Sequence, residues 1–231
     1  MTFKKISLIR ILALWGVLGV PFFAYIFYMS SEKKTFETLF FIFFIFHSIE
    51  RVWETFYTSR EKRAFELHGD WTLVVTTIAY IILCLIVITD VFLFSCHKNV
   101  LISQIGFLTY LMAFVLRWWG IKSLGSQWAV HAVGVKKIAS VSVVKKGPYR
   151  YIRHPIYAAI FLEVASIPLM ANSVMGILYA LFFYIPLQYI RLLEEEKNNV
   201  RKMGNEYLNY VKQTNKIIPF KSIFKNNQEE I

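Results

Sequence analysis

Six apolar stretches punctuate the chain, at roughly Leu8–Tyr28, Leu39–Trp53, Trp71–Phe94, Val100–Ile121, Ile156–Ala171 and Val174–Ile190. A helix needs about 20 residues to cross the hydrocarbon core of a bilayer. Four stretches reach that length once their flanks are counted. The fifth is short, and only Asn172 and Ser173 separate it from the sixth. The pattern predicts an all-α, multi-pass transmembrane bundle of about five to six spans. Its last two apolar helices should form a tight hairpin that need not cross fully. Pro168 and Pro186 lie inside them and should kink them. Beyond the apolar part, Arg191–Tyr210 reads as a polar helix and Asn226–Ile231 as a frayed end. No internal repeat, Gly/Ser-rich linker or low-complexity tract interrupts the series.

Polar positions orient the bundle. The segment Lys122–His154 carries Lys122, Lys136, Lys137, Lys145, Lys146, Arg150 and Arg153 and no acidic residue. Basic loops stay on the cytoplasmic side, so this loop should face the cytoplasm. Counting outwards puts the N-terminus, the Tyr57–Asp70 loop and the C-terminal tail on the same side, in the inner membrane if the cell is bacterial. Lys33 and Lys34 oppose this arrangement more weakly than the long loop supports it. The first stretch, preceded by Lys4, Lys5 and Arg10, resembles a signal peptide. It runs on through Phe22, Tyr25 and Phe27 without a small-residue cleavage site, which favours a retained span over a cleaved signal.

Composition agrees. Hydrophobic residues make up 56% of the 231 and charged residues 18%, where soluble domains carry about 25% charged residues. The net charge of +11 sits between and beside the apolar blocks, which suits anionic headgroups and loop topology rather than nucleic acid. Cys84 and Cys96, the two cysteines, have no partners at metal-ligand spacing. No metal site is expected.

Candidate chemistry is concentrated in two segments. In Lys145–Tyr157, Gly147-Pro148 suits a turn, and Pro155 suits the first position of a helix preceded by His154. The free N–H groups of that helix start would attract an anion. Tyr157 lies in the same first turn. The plain alternative is an aromatic and basic interface anchor. In Arg191–Glu196, Arg191 and Glu195 are four residues apart and share a helix face, from which Glu196 points away. Here the plain alternative is a solvated surface pair. The predicted hairpin brings both segments to one membrane surface. A third group, His47, Glu50, Arg51 and Glu54, shares a helix face at the end of the second stretch. Ionisable residues near a membrane are functional suspects, though snorkelling or an internal Glu–Arg pair explains them more simply.

The ordered motifs resemble those of the isoprenylcysteine carboxyl methyltransferase family and its bacterial relatives. They comprise Leu116-Arg117-Trp118-Trp119, Leu124-Gly125 and Trp128, then Gly147-Pro148-Tyr149-Arg150 and Arg153-His154-Pro155-Ile156-Tyr157. Glu163, Pro168-Leu169, Arg191, Glu195-Glu196, Gly204-Asn205-Glu206-Tyr207, Tyr210 and Ile218-Pro219 complete the set. The resemblance covers roughly the C-terminal half. It implies a membrane methyltransferase with a cytoplasm-facing pocket for S-adenosyl-L-methionine and a lipophilic acceptor entering from the bilayer. By position, Val143, Val144, Tyr149, His154, Pro155, Ile156, Tyr157 and Glu195 would contact the cofactor. Arg191 would bind the acceptor, and Arg191 and His154 would be the catalytic candidates. The implied division is 1–121 as an acceptor-site scaffold, 122–220 as the methyltransferase core and 221–231 as a flexible tail. Ala159 stands where some relatives have Gly, and Ile156 where bacterial relatives are often polar.

The acceptor stays open between a prenylcysteine-like carboxylate and a hydroxyl of a lipid or polyketide. An ionised carboxylate needs only to be held by Arg191 through paired hydrogen bonds. A hydroxyl needs a base, for which His154 or Glu196 is a candidate. Competing readings are a phospholipid N-methyltransferase, a sterol-reductase-like enzyme using a nicotinamide, and a non-catalytic transporter or adaptor. A transporter should show inverted repeats or broken, charged helices at mid-membrane.

Overall fold

In a computed structural model of the protein, residues 16, 19–30, 35–57, 71–94, 98–127 and 142–219 are described. Among these residues seven α-helices follow in order: α1 (Val20–Ser30), α2 (Thr35–Tyr57), α3 (Trp71–Leu93), α4 (Val100–Leu124), α5 (Pro155–Ala171), α6 (Val174–Met203) and α7 (Asn205–Gln213). No strand occurs among the described residues, so the all-α reading holds. Residues 58–70, Lys33, Lys34, Cys96, Trp128, Lys136, Lys137 and the tail 221–231 lie outside the described residues. Most of the N-terminal end of the first apolar stretch does too.

Among the described residues, three helices, α3, α4 and α6, are long and apolar enough to cross a membrane. Their outer faces match that medium, since Leu108, Met112, Phe182 and Phe183 stand exposed where a soluble protein would carry charge. Helix α2 is as long as α3, with 23 residues, but carries Glu37, Glu50, Arg51 and Glu54. Helix α5 has 17 residues. At about 1.5 Å per residue it is roughly 25 Å long, short of a hydrocarbon core of about 30 Å.

Local chemistry explains the element boundaries. Asn99 caps α4, its side chain accepting from the backbone N–H of Leu101 at 3.0 Å and Ile102 at 3.3 Å. The expected α5–α6 hairpin turns on two residues. Asn172 adopts φ 55°, in the left-handed region that Asn tolerates. Ser173 then caps α6 by accepting from the Gly176 N–H at 2.9 Å, while its hydroxyl donates to Asp90 on α3. Asn172 also bonds Ser103 and the Asn99 N–H, joining the two turns at this end of the bundle. Pro186 removes one donor from α6. The backbone widens into a π-turn at Ala180–Tyr184, where the Ile185 N–H reaches back to the Ala180 carbonyl.

Helices α4 and α5 make the closest pairing because small residues let them approach. A Cβ added to Gly106 would lie against the Met170 backbone, 2.8 Å from its Cα. At the other end, Gly120 leaves room for the Ile156 side chain, 3.1 Å from where a Cβ would stand. Above this seam an aromatic and aliphatic core gathers Phe40, Phe44, Leu83, Val87, Ile88 and Ile167 from three helices.

The group on α2 is buried rather than snorkelled. His47, Glu50 and Glu54 are each less than one-tenth exposed. Arg51 bonds Glu50 at 2.8 Å and Glu54 at 2.7 Å, which bears out the internal Glu–Arg pair. The pair extends much further than the local spacing suggests. Arg117 of α4 reaches Glu54 at 3.1 Å and bonds Glu163 of α5, while Tyr80 of α3 donates to Glu163 at 2.8 Å. Four helices thus meet on one cluster of charges.

Close packing at Gly106 leads to a direct expectation. Gly106→Ala should lower thermal stability in detergent by about 1–3 kcal/mol through overpacking against α5. Leu108→Ala, on the exposed face, should change it by less than about 0.5 kcal/mol. Paired melting curves of the purified variants check the contrast.

Candidate functional site

The start of α5 and the last polar turns of α6 come together at one end of the bundle. Gly147 makes this possible. With φ 60° it turns the chain, and a Cβ there would fall on the Ser123 hydroxyl and within 3.1 Å of the Trp119 ring nitrogen. The Gly147–Arg150 turn therefore packs directly on α4 and buries Pro148 and Tyr149. Next, Arg153 and His154 donate their backbone N–H groups to the carbonyls of Asn215 and Lys216, at 2.8 and 3.0 Å. The segment leading into α5 is thereby fastened to the chain beyond α7. Pro155 occupies the first helical position as expected.

Side chains converge across this frame. The Tyr157 hydroxyl donates to Glu195 Oε2 at 2.8 Å, and the Arg191 guanidinium also reaches that hydroxyl. His154 stands edge-on to the Tyr157 ring, with centroids 5.6 Å apart. Arg191, only 6% exposed, donates to the Thr72 hydroxyl of α3 at 3.0 Å. His154, Tyr157, Arg191 and Glu195 are thus brought into one cluster. Burial, and then the Glu195 carboxylate, hold the Tyr149 phenol well above its ordinary range, so it is a neutral ring and not a base.

Other expected site residues sit differently. His154 does not cap α5 with its side chain. Its Nε2 lies 3.3 Å from Glu196 Oε1. Glu196, read as pointing away from the Arg191 face, does so and collects Arg153 at 3.0 Å and Lys216 at 2.8 Å besides. It latches the α5 entry to the tail. The Val143 N–H donates to Glu206 of α7 at 3.2 Å, and Val144 beside it is half-buried. Ile156 packs its side chain towards α4 at Gly120, so its side chain serves packing.

Two contributors were missed. Thr72 and Gln188 both belong to polar stripes on otherwise apolar helices. Thr72, Thr76 and Tyr80 recur every fourth residue on α3, and Tyr184, Gln188, Arg191 and Glu195 share one face of α6. That spacing was available as a signal. Gln188 donates to the Tyr184 hydroxyl at 2.8 Å, and its Oε1 is buried with no hydrogen-bond partner among the described residues. No group of side chains suited to a metal ion occurs among the described residues.

Fold and site together define an integral membrane helical bundle with a carboxylate, a guanidinium and aromatic rings clustered at one end. Residues 104–200 match the isoprenylcysteine carboxyl methyltransferase family, which bears out the resemblance read from the motifs. The chain is 32% identical to the uncharacterized protein YpbQ of Bacillus subtilis (strain 168) over 83 residues, 36% of this chain and 48% of that protein. It is 29% identical to the protein-S-isoprenylcysteine O-methyltransferases of Rattus norvegicus and Mus musculus over 120 residues, 52% of this chain and 42% of each relative. The chain therefore matches less than half the length of these curated relatives.

The latch at Glu196 can be tested by itself. Glu196→Gln should lower stability by about 1–3 kcal/mol, the usual value of hydrogen bonds to a charged group. Limited proteolysis should show earlier cleavage near residues 211–219 than in Glu194→Gln, whose carboxylate pairs with exposed Lys197.

Proposed function

We propose that the protein is a membrane-embedded, S-adenosyl-L-methionine-dependent O-methyltransferase acting on a lipophilic acceptor. The observation that carries the reading is the Tyr157–Glu195 hydrogen bond beside a buried Arg191, within the segment that matches the family. A carboxylate flanked by aromatic rings suits a sulfonium, because both attract a compact positive charge. The residues present therefore fit the cofactor. Glu195, Tyr157, Tyr149 and the His154–Pro155 backbone would hold it, with Val143, Val144 and Ile156 as further proposed contacts. When bound, this cofactor supplies an electrophilic methyl group.

The chain's own task is then alignment, since an in-line displacement gains most from holding the acceptor at near-attack distance. Arg191 is the proposed acceptor contact. Its fork is steadied by Thr72 and Tyr157, and its charge favours an oxygen acceptor that is anionic or becomes so. The same charge disfavours the amine head of a phospholipid, which makes N-methylation the weaker reading. Glu196 is committed to Arg153, Lys216 and His154 and acts as a support. For a hydroxyl acceptor, His154 is the remaining proposed base. Carboxylate and hydroxyl acceptors, as on a prenylcysteine or a lipid or polyketide, both fit this scheme. The N-terminal helices would shape the acceptor site, and the basic residues of the Lys122–His154 segment support a cytoplasmic face for this end.

Isothermal titration of S-adenosylmethionine into detergent-purified protein tests the cofactor assignment. Micromolar binding is expected, weakened about 10- to 100-fold in Glu195→Ala, which corresponds to about 1.4–2.8 kcal/mol. Absence of binding by well-folded protein would overturn the reading. Arg191→Lys should leave cofactor affinity within about threefold while reducing methyl transfer to lipid-extract acceptors at least about tenfold, because lysine lacks the planar fork. A loss of cofactor binding in that variant would move Arg191 to the cofactor side.

A further inference from the structure

Among the described residues, the charges joining α2 to the family segment do not balance unless one more proton is counted. Glu50, Glu54 and Glu163 bring three carboxylates, and Arg51 and Arg117 bring two guanidinium groups. Arginine stays protonated in proteins. Each carboxylate contacts at least one of these guanidinium groups, the opposite charge that a buried carboxylate requires. A residual negative charge at this depth would be costly to bury.

His47 stands where the missing charge is needed. Its Nδ1 lies 2.8 Å from the Tyr110 hydroxyl and its Nε2 contacts the Tyr80 hydroxyl. Tyr110 donates its one proton to Glu50, and Tyr80 donates its one proton to Glu163. Both hydroxyls therefore turn lone pairs towards the imidazole, and both ring nitrogens must donate. Beyond the hydroxyls, Glu50 lies 3.5 Å from Nδ1 and Glu163 lies 3.8 Å from Nε2. The remaining neighbours, Phe43 and Phe44, offer only ring faces and edges. Cys84 touches the cluster through Tyr80.

We infer that His47 is an imidazolium, the sixth charge of a buried cluster that is electroneutral among the described residues, and the positioning residue that docks α2 onto α3 and α4. Three negative charges then face three positive ones, and every hydroxyl proton has a carboxylate to accept it. The cluster reaches the site through α5, because Glu163 and Tyr157 lie on that same helix. The assignment rests on hydrogen-bond direction and charge, and it is independent of the methyl-transfer reading.

The 231-residue chain with His68, His97, His131 and His154 replaced by Asn retains His47 as its sole histidine. Nitrogen-15 NMR of this ring-labelled protein in detergent at pH 7.5 should show two protonated ring nitrogens. One bare, imine-type nitrogen would overturn the proposal, since the proton would then reside on a carboxyl group. A charge-compensation cycle gives the second reading. His47→Gln and Glu50→Gln should each lower the melting temperature by several degrees. The double variant, again with equal numbers of opposite charges, should regain most of that loss. Losses that simply add would mean His47 serves packing alone. Should His47→Gln fail to fold, the NMR result on the sole-histidine protein decides.

Discussion

Pairing of charge inside an apolar medium is the constraint on which the rest of this structure depends. Glu163 is the one charged residue of a largely apolar helix, and it is only 2% exposed. Its carboxylate can stay there only with partners, and these come from three other helices: Arg117 on α4, Tyr80 on α3, and Arg51 with His47 on α2. Removing any one partner leaves an uncompensated buried group, a costlier state than never having buried the pair. The cluster therefore specifies which helices adjoin and in what register. Apolar packing, which in a bilayer has no hydrophobic drive between helices, does this poorly.

The candidate site follows the same logic nearer the surface. Its carboxylates are divided between two jobs by one step along α6. Glu195 faces inward to Tyr157 and Arg191, whereas Glu196, rotated by about 100° on the helix, faces the α5 entry and the tail. One carboxylate is held by a phenol and remains available to a cation. The other is saturated by Arg153, Lys216 and His154 and holds the backbone that carries Tyr149 and His154. A rigid frame of this kind suits chemistry whose main demand is alignment.

Polar stripes connect the two regions. Thr72, Thr76 and Tyr80 descend α3, and Glu195, Arg191, Gln188 and Tyr184 descend α6, with Tyr80 and Tyr184 rings 5.8 Å apart where the stripes meet. The bundle is thus apolar outside and along the aromatic core, yet has a continuous polar seam from the site to the Glu163 cluster.

Much was legible in the chain itself. Apolar run length set the helices, because a bilayer admits only segments that satisfy their own backbone. Asn172-Ser173 set the hairpin, because Asn tolerates the left-handed conformation and Ser caps a helix start. The positions of His154, Tyr157, Arg191 and Glu195 were read from local spacing and motif order, and they do meet. Spacing along one helix could show that His47, Glu50, Arg51 and Glu54 share a face, and even that Glu and Arg would pair. It could not show that Arg117 and Glu163, 46 residues apart, complete the same cluster, nor that Thr72 would support Arg191 across 119 residues. Those contacts depend on helix rotation and neighbour choice, which arise from packing the whole bundle at once. Only the tertiary structure decides them, because in a low-dielectric interior the partner of a charge is whatever the fold brings within reach.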